Sequence, residues 1–269
     1  MYEYRHVKLQ NSPLSLVLCQ IKFSKVRRMP EFIPQIQDAL RKEGFPVDAS
    51  YKMQHVKMEP NKAPEIIEVS QDEFRSKDNQ RSIIVSEDML VLMTTAYDDF
   101  DTFSKWLRQS LEIIDDAAQI RHGVITRIGL RYVNIIDPEN GKTFRNYLKD
   151  GFHGVTKSSV FIDDNPWLQF ESGGKTNEGM MIVRAIQNSQ GLVFPPDILI
   201  NNPMNCKIKI THSNPITLVD IDHFSEGNFD YDLNSIMKTA DDLHHGINSN
   251  WFNDIVTNEA LAIWEQSNV

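Results

Sequence analysis

The 269-residue chain has little cysteine and lacks the compact motifs of nucleotide binding or covalent catalysis. Its two cysteines, Cys19 and Cys206, fall in strand-like apolar runs, so we expect small buried side chains in a reducing compartment. Without a CxxC pair, a disulfide framework or a thiolate zinc site is not expected. There is no P-loop, GxSxG or GxGxxG. The segment "ESGGKTNEG" at 171–179 lacks Walker spacing, and a Gly-Gly hairpin turn explains it.

Long apolar runs are also missing. No stretch approaches the roughly eighteen apolar residues that a membrane span requires, and the start "MYEYRHVKLQ" lacks the apolar core of a signal peptide. We therefore predict a cytoplasmic protein that does not enter a membrane.

The net charge of −9 is unevenly distributed along the chain. Residues 1–62 contain eleven Lys and Arg against six Asp and Glu, whereas residues 197–269 contain three against eleven. Because phosphate affinity depends on clustered basic side chains, generic nucleic-acid binding is not expected. The local exception, interpreted as a solvated strand end and turn, is the basic cluster Lys22, Lys25, Arg27 and Arg28.

The hydrophobic pattern predicts an α+β fold with a mostly antiparallel sheet and packed helices, because helices follow runs of strands instead of alternating with them. Helices are predicted in "EFIPQIQDALRKEG" and over 99–121, 231–247 and 250–266. Strands include "LSLVLCQIKF", "VITRIGLRYVNII", "NCKIKITH" and "ITLVDIDHF", and a hairpin turns at 86–88. The order of elements allows two related halves, residues 1–137 and 138–269, in one compact body.

The helix over 99–121 has the clearest amphipathic pattern. Its apolar stripe is predicted to lie on the sheet with Trp106 and Leu107 buried. The stripe consists of Phe103, Trp106, Leu107, Ser110, Leu111, Ile114 and Ala118.

The stretch "VDIDH" at 219–223 is the densest group of possible metal ligands in the chain. Side chains alternate in a strand, so Asp220 and Asp222 would share one face, roughly 6.6 Å apart, with His223 on the other. The two aspartates are candidate ligands for Mg²⁺ or Mn²⁺. The pattern is also typical of a strand that leaves the core for solvent. We favour that interpretation, in which Asp220, Asp222 and His223 hold no metal together.

A second histidine group, His244 and His245, lies in "DDLHHG" on the helix predicted over 231–247. Adjacent helix positions diverge by about 100°, so the two imidazoles cannot chelate one ion. His244 falls at the edge of the apolar stripe, where we expect partial burial and a satisfied hydrogen bond, whereas His245 points outward. The sequence therefore predicts neither a bound metal nor a cofactor.

Arg127 and Arg131 flank Gly129 on one face of a predicted strand. If that face is open, the two guanidinium groups could hold a carboxylate or phosphate through bidentate contacts. In so acidic a chain, the favoured alternative is that they pair with acidic residues of neighbouring elements.

Several phrases resemble a family of sporadically distributed prokaryotic proteins of about 250 residues and uncharacterised function. They are "SPLSLVLCQIKF", "IGLRYVNII", "LVDIDHF", "DLHHGINSNWF" and "VTNEALAIW". The resemblance covers almost the whole chain, but it rests on strand and helix signatures and supplies no active site. Patchy occurrence of this kind is typical of accessory genes on mobile or defence islands.

Two functions follow from these observations. The favoured one is a non-catalytic intracellular binding or assembly protein, an accessory component of a defence or toxin-neutralising locus, with a protein partner or a second copy of itself. The alternative is a metal- or anion-dependent enzyme or ligand-binding protein that uses Asp220 and Asp222, or Arg127 and Arg131. The sequence favours a protein without catalytic activity, and it leaves the enzymatic alternative open.

Overall fold

The structure is a computed structural model, which describes residues 9–57, 65–139, 141–154, 167–188, 194–195, 197–198, 204–206, 208, 210 and 215–265. Within these residues the chain forms nine strands and five α-helices. The strands are β1 (Leu14–Phe23), β2 (Val47–Lys57), β3 (Glu65–Arg75), β4 (Arg81–Ser86), β5 (Met89–Thr94), β6 (Val124–Ile136), β7 (Leu168–Lys175), β8 (Met180–Asn188) and β9 (Ile216–Asp230). The helices are α1 (Met29–Lys42), α2 (Phe100–Ala118), α3 (Phe144–Tyr147), α4 (Leu233–Asn250) and α5 (Asn258–Glu265).

The described strands form one sheet in the order β2-β3-β4-β5-β1-β6-β9-β8-β7. The neighbours β2 and β3, β3 and β4, β4 and β5, β7 and β8, and β8 and β9 all pair antiparallel. The predicted α+β class with a mostly antiparallel sheet is therefore confirmed. No helix in the described part of the chain is long and apolar enough to cross a membrane.

The chain divides into two compact units. The first unit comprises Met1–Val17, Leu130–Ser225 and Asp241–Val269, and the second comprises Leu18–Gly129 and Glu226–Ala240. Each unit is thus assembled from separated stretches of sequence. The division into halves at residue 137, and a relationship between those halves, stay predictions.

In the second unit, α2 packs by the stripe that its sequence predicts. Asp99 caps the helix by accepting a 2.7 Å hydrogen bond from the Thr102 backbone N–H, and Gln119 ends it in the left-handed region. Leu107 and Leu111 have no exposed surface, which confirms their predicted burial. The prediction for Trp106 is wrong. Its side chain is half-buried because it lies at the edge of the stripe, where the Arg81 guanidinium covers its ring.

The turns between elements agree with the predictions at two positions and differ at a third. Helix α1 ends just before Gly44, whose φ of +92° favours glycine, and β4 and β5 turn through 87–88, both as predicted. The prediction of a Gly-Gly hairpin turn is wrong, because Gly173 and Gly174 lie inside β7 and pair with β8. The turn comes later, where the Thr176 N–H donates to the Gly179 carbonyl at 2.9 Å. A Cβ at Gly179 would lie 2.0 Å from the Phe224 oxygen, so this position requires glycine.

Two further predictions for the first unit need correction. The last helix begins at Asn258, not at 250, because a π-helical turn over Trp251–Ile255 follows α4 and Thr257 caps α5. A strand is predicted in "NCKIKITH", but the described residues of this segment are not in a strand, and Ile210 is 37% exposed. A side chain outside a ladder has no fixed inward face. The sequence also predicts a strand near 158–162, a segment that lies outside the described residues.

Candidate functional site

The stretch "VDIDH" lies in the buried part of β9. Asp220 and His223 have no exposed surface, whereas Asp222 is half-buried. Strand alternation sends Asp220 toward the guanidinium of Arg131 on β6, and His223 to the opposite face, against α4. The carboxylate and the imidazole therefore belong to different polar networks.

Asp220 is an ion-pair partner of two arginines. Arg131 donates from Nε and Nη2 to Oδ1 and Oδ2 of Asp220, each at 2.7 Å, and Arg184 donates from Nη1 to Oδ2 at 3.1 Å. Arg131 also donates from Nη1 and Nη2 to Asp197 at 2.8 and 2.9 Å. Both carboxylate oxygens of Asp220 thus accept from arginine, and all three guanidinium nitrogens of Arg131 donate to carboxylates.

These contacts belong to a row of alternating charges across four neighbouring strands. Arg184 lies opposite Asp220 in the pairing of β8 with β9, and Glu171 lies opposite Arg184 in the pairing of β7 with β8. Arg184 also donates from Nε to Glu171. We call this set the charge row: Glu171, Arg184, Asp220 and Arg131. Opposite charges directly across antiparallel strands attract, so the row supports this strand order.

The ionisation of the charge row follows from its contacts. Burial lowers the pKa of Arg131, but the hydrogen bonds and charges of Asp220 and Asp197 outweigh that effect and raise it overall. The hydrogen bond from Arg131 holds the pKa of Asp197 below its usual range. The guanidinium of Arg131 thus stays charged throughout the range in which proteins fold.

Arg127 also pairs with a carboxylate. It lies in the second unit, where its Nη1 donates to Glu226 at 2.6 Å. Arg127 and Arg131 thus each pair with an acidic residue of the chain, which is the alternative that the sequence favoured over an open anion site. Arg131 and Asp220, two of the four candidate ligand-binding residues, contact each other.

His223 lies between α4 and the turn that connects β7 to β8. Its Nδ1 lies 3.0 Å from the Leu243 carbonyl, and its Nε2 lies 2.8 Å from the Thr176 hydroxyl. Since a carbonyl only accepts, Nδ1 carries the proton and Nε2 accepts from threonine. Burial lowers the pKa of His223, and the Leu243 hydrogen bond and nearby acids only partly oppose this shift. The imidazole is therefore a neutral structural group.

Gly246, which directly follows His244 and His245, packs against the ring of His223. A Cβ at this position would lie 2.6 Å from Cε1 of His223, so only glycine lets α4 approach β9 so closely. His244 contacts the Tyr132 hydroxyl at 2.7 Å and Asn248 at 3.1 Å, which matches its predicted burial and hydrogen bonding. His245 is exposed, as predicted.

Several members of these networks were not recognised in the sequence. Arg184 had a usable signal, a lone arginine inside the apolar strand "GMMIVRAIQN". Asp197 and Thr176 had none, because loop residues have no periodicity that indicates their direction. Among the described residues, no group of three or more His, Cys, Asp or Glu could hold a metal ion. No protein-family model matches the chain, and no curated protein matches it significantly in sequence.

Proposed function

We propose that the chain is a non-catalytic binding and assembly protein that works in the cytoplasm through a surface. One observation carries this proposal: the groups best suited to chemistry are committed to internal bonds. Asp220 accepts from two arginines, and His223 bonds both Thr176 and Leu243. A general base or metal ligand needs a free lone pair that faces substrate, and these positions offer none in their described geometry.

The surface that supports the proposal belongs to the second unit. There the last five residues of β9, 226–230, are all exposed, and they include Phe229 with 37% of its surface accessible. Arg108 of α2 donates to Asn234 at 3.1 Å, so α2 lies beside the segment that follows β9. Burial, and then the charge of Asp115 with those of Glu112 and Asp116, outweigh the opposing charge of Arg121 and raise the pKa of Tyr231 to about 12. We call this set of exposed residues the acidic surface: Glu112, Asp116, Glu226, Phe229, Asp230 and Asp232. Asp116 and Glu226 also pair with Arg121 and Arg127, so Glu112, Asp230 and Asp232 contribute most of its negative charge.

The partner that fits this surface is a protein with exposed basic side chains. A second copy of the chain is one such partner, because Lys22, Arg27 and Arg28 are exposed. The patchy occurrence implied by the family resemblance favours a partner encoded beside this gene, in a defence or toxin-neutralising locus. The net charge of −9 argues against nucleic acid as the main partner.

The test is sedimentation velocity on the purified chain, alone and with the products of its neighbouring genes. Association should weaken as salt rises, and Asp230→Lys should weaken it at least about threefold, because charge reversal turns attraction into repulsion. The matched control is Asp48→Lys, another exposed aspartate near the end of a strand. Equal behaviour of the two variants would contradict the proposal, as would tight binding to generic nucleic acid at physiological salt.

A further inference from the structure

The second unit contains an open cleft of about 900 Å³ that the charge row and the acidic surface do not involve. It lies between the end of α1 and the turn from β3 to β4. Its charged lining consists of Asp38, Arg41, Lys42, Lys77, Asp78 and Arg81. Four basic groups thus face two acidic ones, which makes the cleft positive in a chain whose net charge is −9.

Arg81 is held rigidly in this cleft. Its guanidinium carbon lies 5.1 Å from the ring centre of Phe45 and 4.7 Å from that of Trp106. Its backbone N–H donates to the Ser76 hydroxyl at 3.0 Å, and its carbonyl accepts from the Ser76 N–H at 3.0 Å. Stacking on aromatic rings uses the faces of the guanidinium and leaves its in-plane N–H donors for a ligand.

The two acidic groups of the cleft offset only part of its positive charge. Asp78 accepts from the Ser76 hydroxyl and, at 3.1 Å, from the Gln80 N–H, so it is turned into its own hairpin. Asp38 is 74% exposed and lies 3.9 Å from Arg41. The hydrogen bond from Ser76 lowers the pKa of the Asp78 carboxyl, and the charge of Arg81 also acts on Asp78 and helps to lower it. When each acid is set against one base, two positive charges remain in the cleft. The cleft therefore has an excess positive charge with open donors.

We propose that this cleft, the Arg81 cleft, binds the phosphate group of a small molecule. The excess of two positive charges matches a phosphate monoester, which carries about −1.5 to −2 at pH 7. The fork of Arg81 suits two phosphate oxygens, and Lys42 and Lys77 add compact charges at the rim. Small-molecule sites typically span about 300–1,000 Å³, so the cleft also has room for the group that carries the phosphate.

The test is isothermal titration calorimetry of the full chain with four probes: inorganic phosphate, AMP, adenosine and citrate. Binding of AMP with none of adenosine supports the proposal and assigns a phosphate ester. Equal binding of inorganic phosphate and AMP supports it and assigns free phosphate as the source. Binding of citrate alone, of adenosine as tightly as AMP, or of none of the four overturns it.

Substitutions in and outside the Arg81 cleft then test whether the phosphate binds there. Arg81→Lys keeps the charge but loses the fork, and should weaken binding on the order of tenfold. Lys42→Gln with Lys77→Gln should weaken it several-fold without affecting folding, because both side chains are exposed. The matched control is Lys22→Gln with Arg27→Gln, two exposed basic residues outside the cleft, which should bind like the wild type. Equal losses in both double variants would mean only general charge attraction and would overturn the site. None of these results depends on the acidic surface.

Discussion

Replacing Asp220 by alanine removes the central acceptor of the charge row. The substitution deletes three hydrogen bonds, two from Arg131 at 2.7 Å and one from Arg184 at 3.1 Å. Asp220 has no exposed surface and the Arg131 side chain is only 10% exposed, so water cannot readily replace the lost partner. We therefore expect a large loss in the free energy of unfolding.

The magnitude follows from what remains around Arg131. Removing one partner of a buried ion pair costs about 3–5 kcal/mol. Asp197 keeps two hydrogen bonds to Arg131, so the lower end, about 3 kcal/mol, is expected. Asp197→Ala is the comparison. Its side chain is 60% exposed, and loss of such a pair costs about 0–1 kcal/mol.

The assay is equilibrium unfolding in urea followed by circular dichroism, with the slope of the transition checked for two-state behaviour. Asp220→Asn tests charge separately from shape, and it should lose less than Asp220→Ala because the amide oxygen still accepts from arginine. A loss below about 1 kcal/mol for Asp220→Ala would refute the reasoning, since the pair would then contribute no more than an exposed one. So would equal losses in the alanine variants of Asp220 and Asp197.

Three further perturbations test the packing around the sheet. Leu111→Ala should lower the free energy of unfolding by about 2–5 kcal/mol, since Leu111 is fully buried; a urea midpoint like that of the wild type would place the α2 stripe on the surface. Gly246→Ala should lower the melting temperature by several degrees, because its Cβ would lie 2.6 Å from the His223 ring; unchanged melting would mean that α4 does not approach β9 so closely. The pKa of His223 is lowered by burial, so below about pH 6.5 the unfolded chain takes up a proton that the folded chain does not. Stability should therefore fall as pH falls below that value, and the slope should be smaller in His223→Gln; an equal slope in that variant and the wild type would contradict the prediction.

Local patterns in the sequence were enough to locate most helices and strands, because burial repeats with the period of the element. The stripe of α2 and the alternation of β9 are examples, and the cap at Asp99 and the stop at Gly44 mark helix ends by local chemistry. The errors lie where tertiary contacts outweigh local signals. Gly173 and Gly174 resemble a turn, yet pairing with β8 keeps them in a strand, and Gly179 forms the turn because Phe224 approaches it.

The candidate site shows the same difference between local sequence patterns and tertiary contacts. Alternation alone determined that Asp220 and His223 face opposite sides of β9, because that depends only on neighbouring peptide units. It could not determine what each side chain meets. Arg131 and Asp220 are 89 residues apart in the chain, and only the strand order β6-β9-β8 puts Arg131 and Arg184 on either side of Asp220. Strand order is decided by packing of the whole sheet, so only the tertiary structure turned a possible metal ligand into the centre of an ion-pair row.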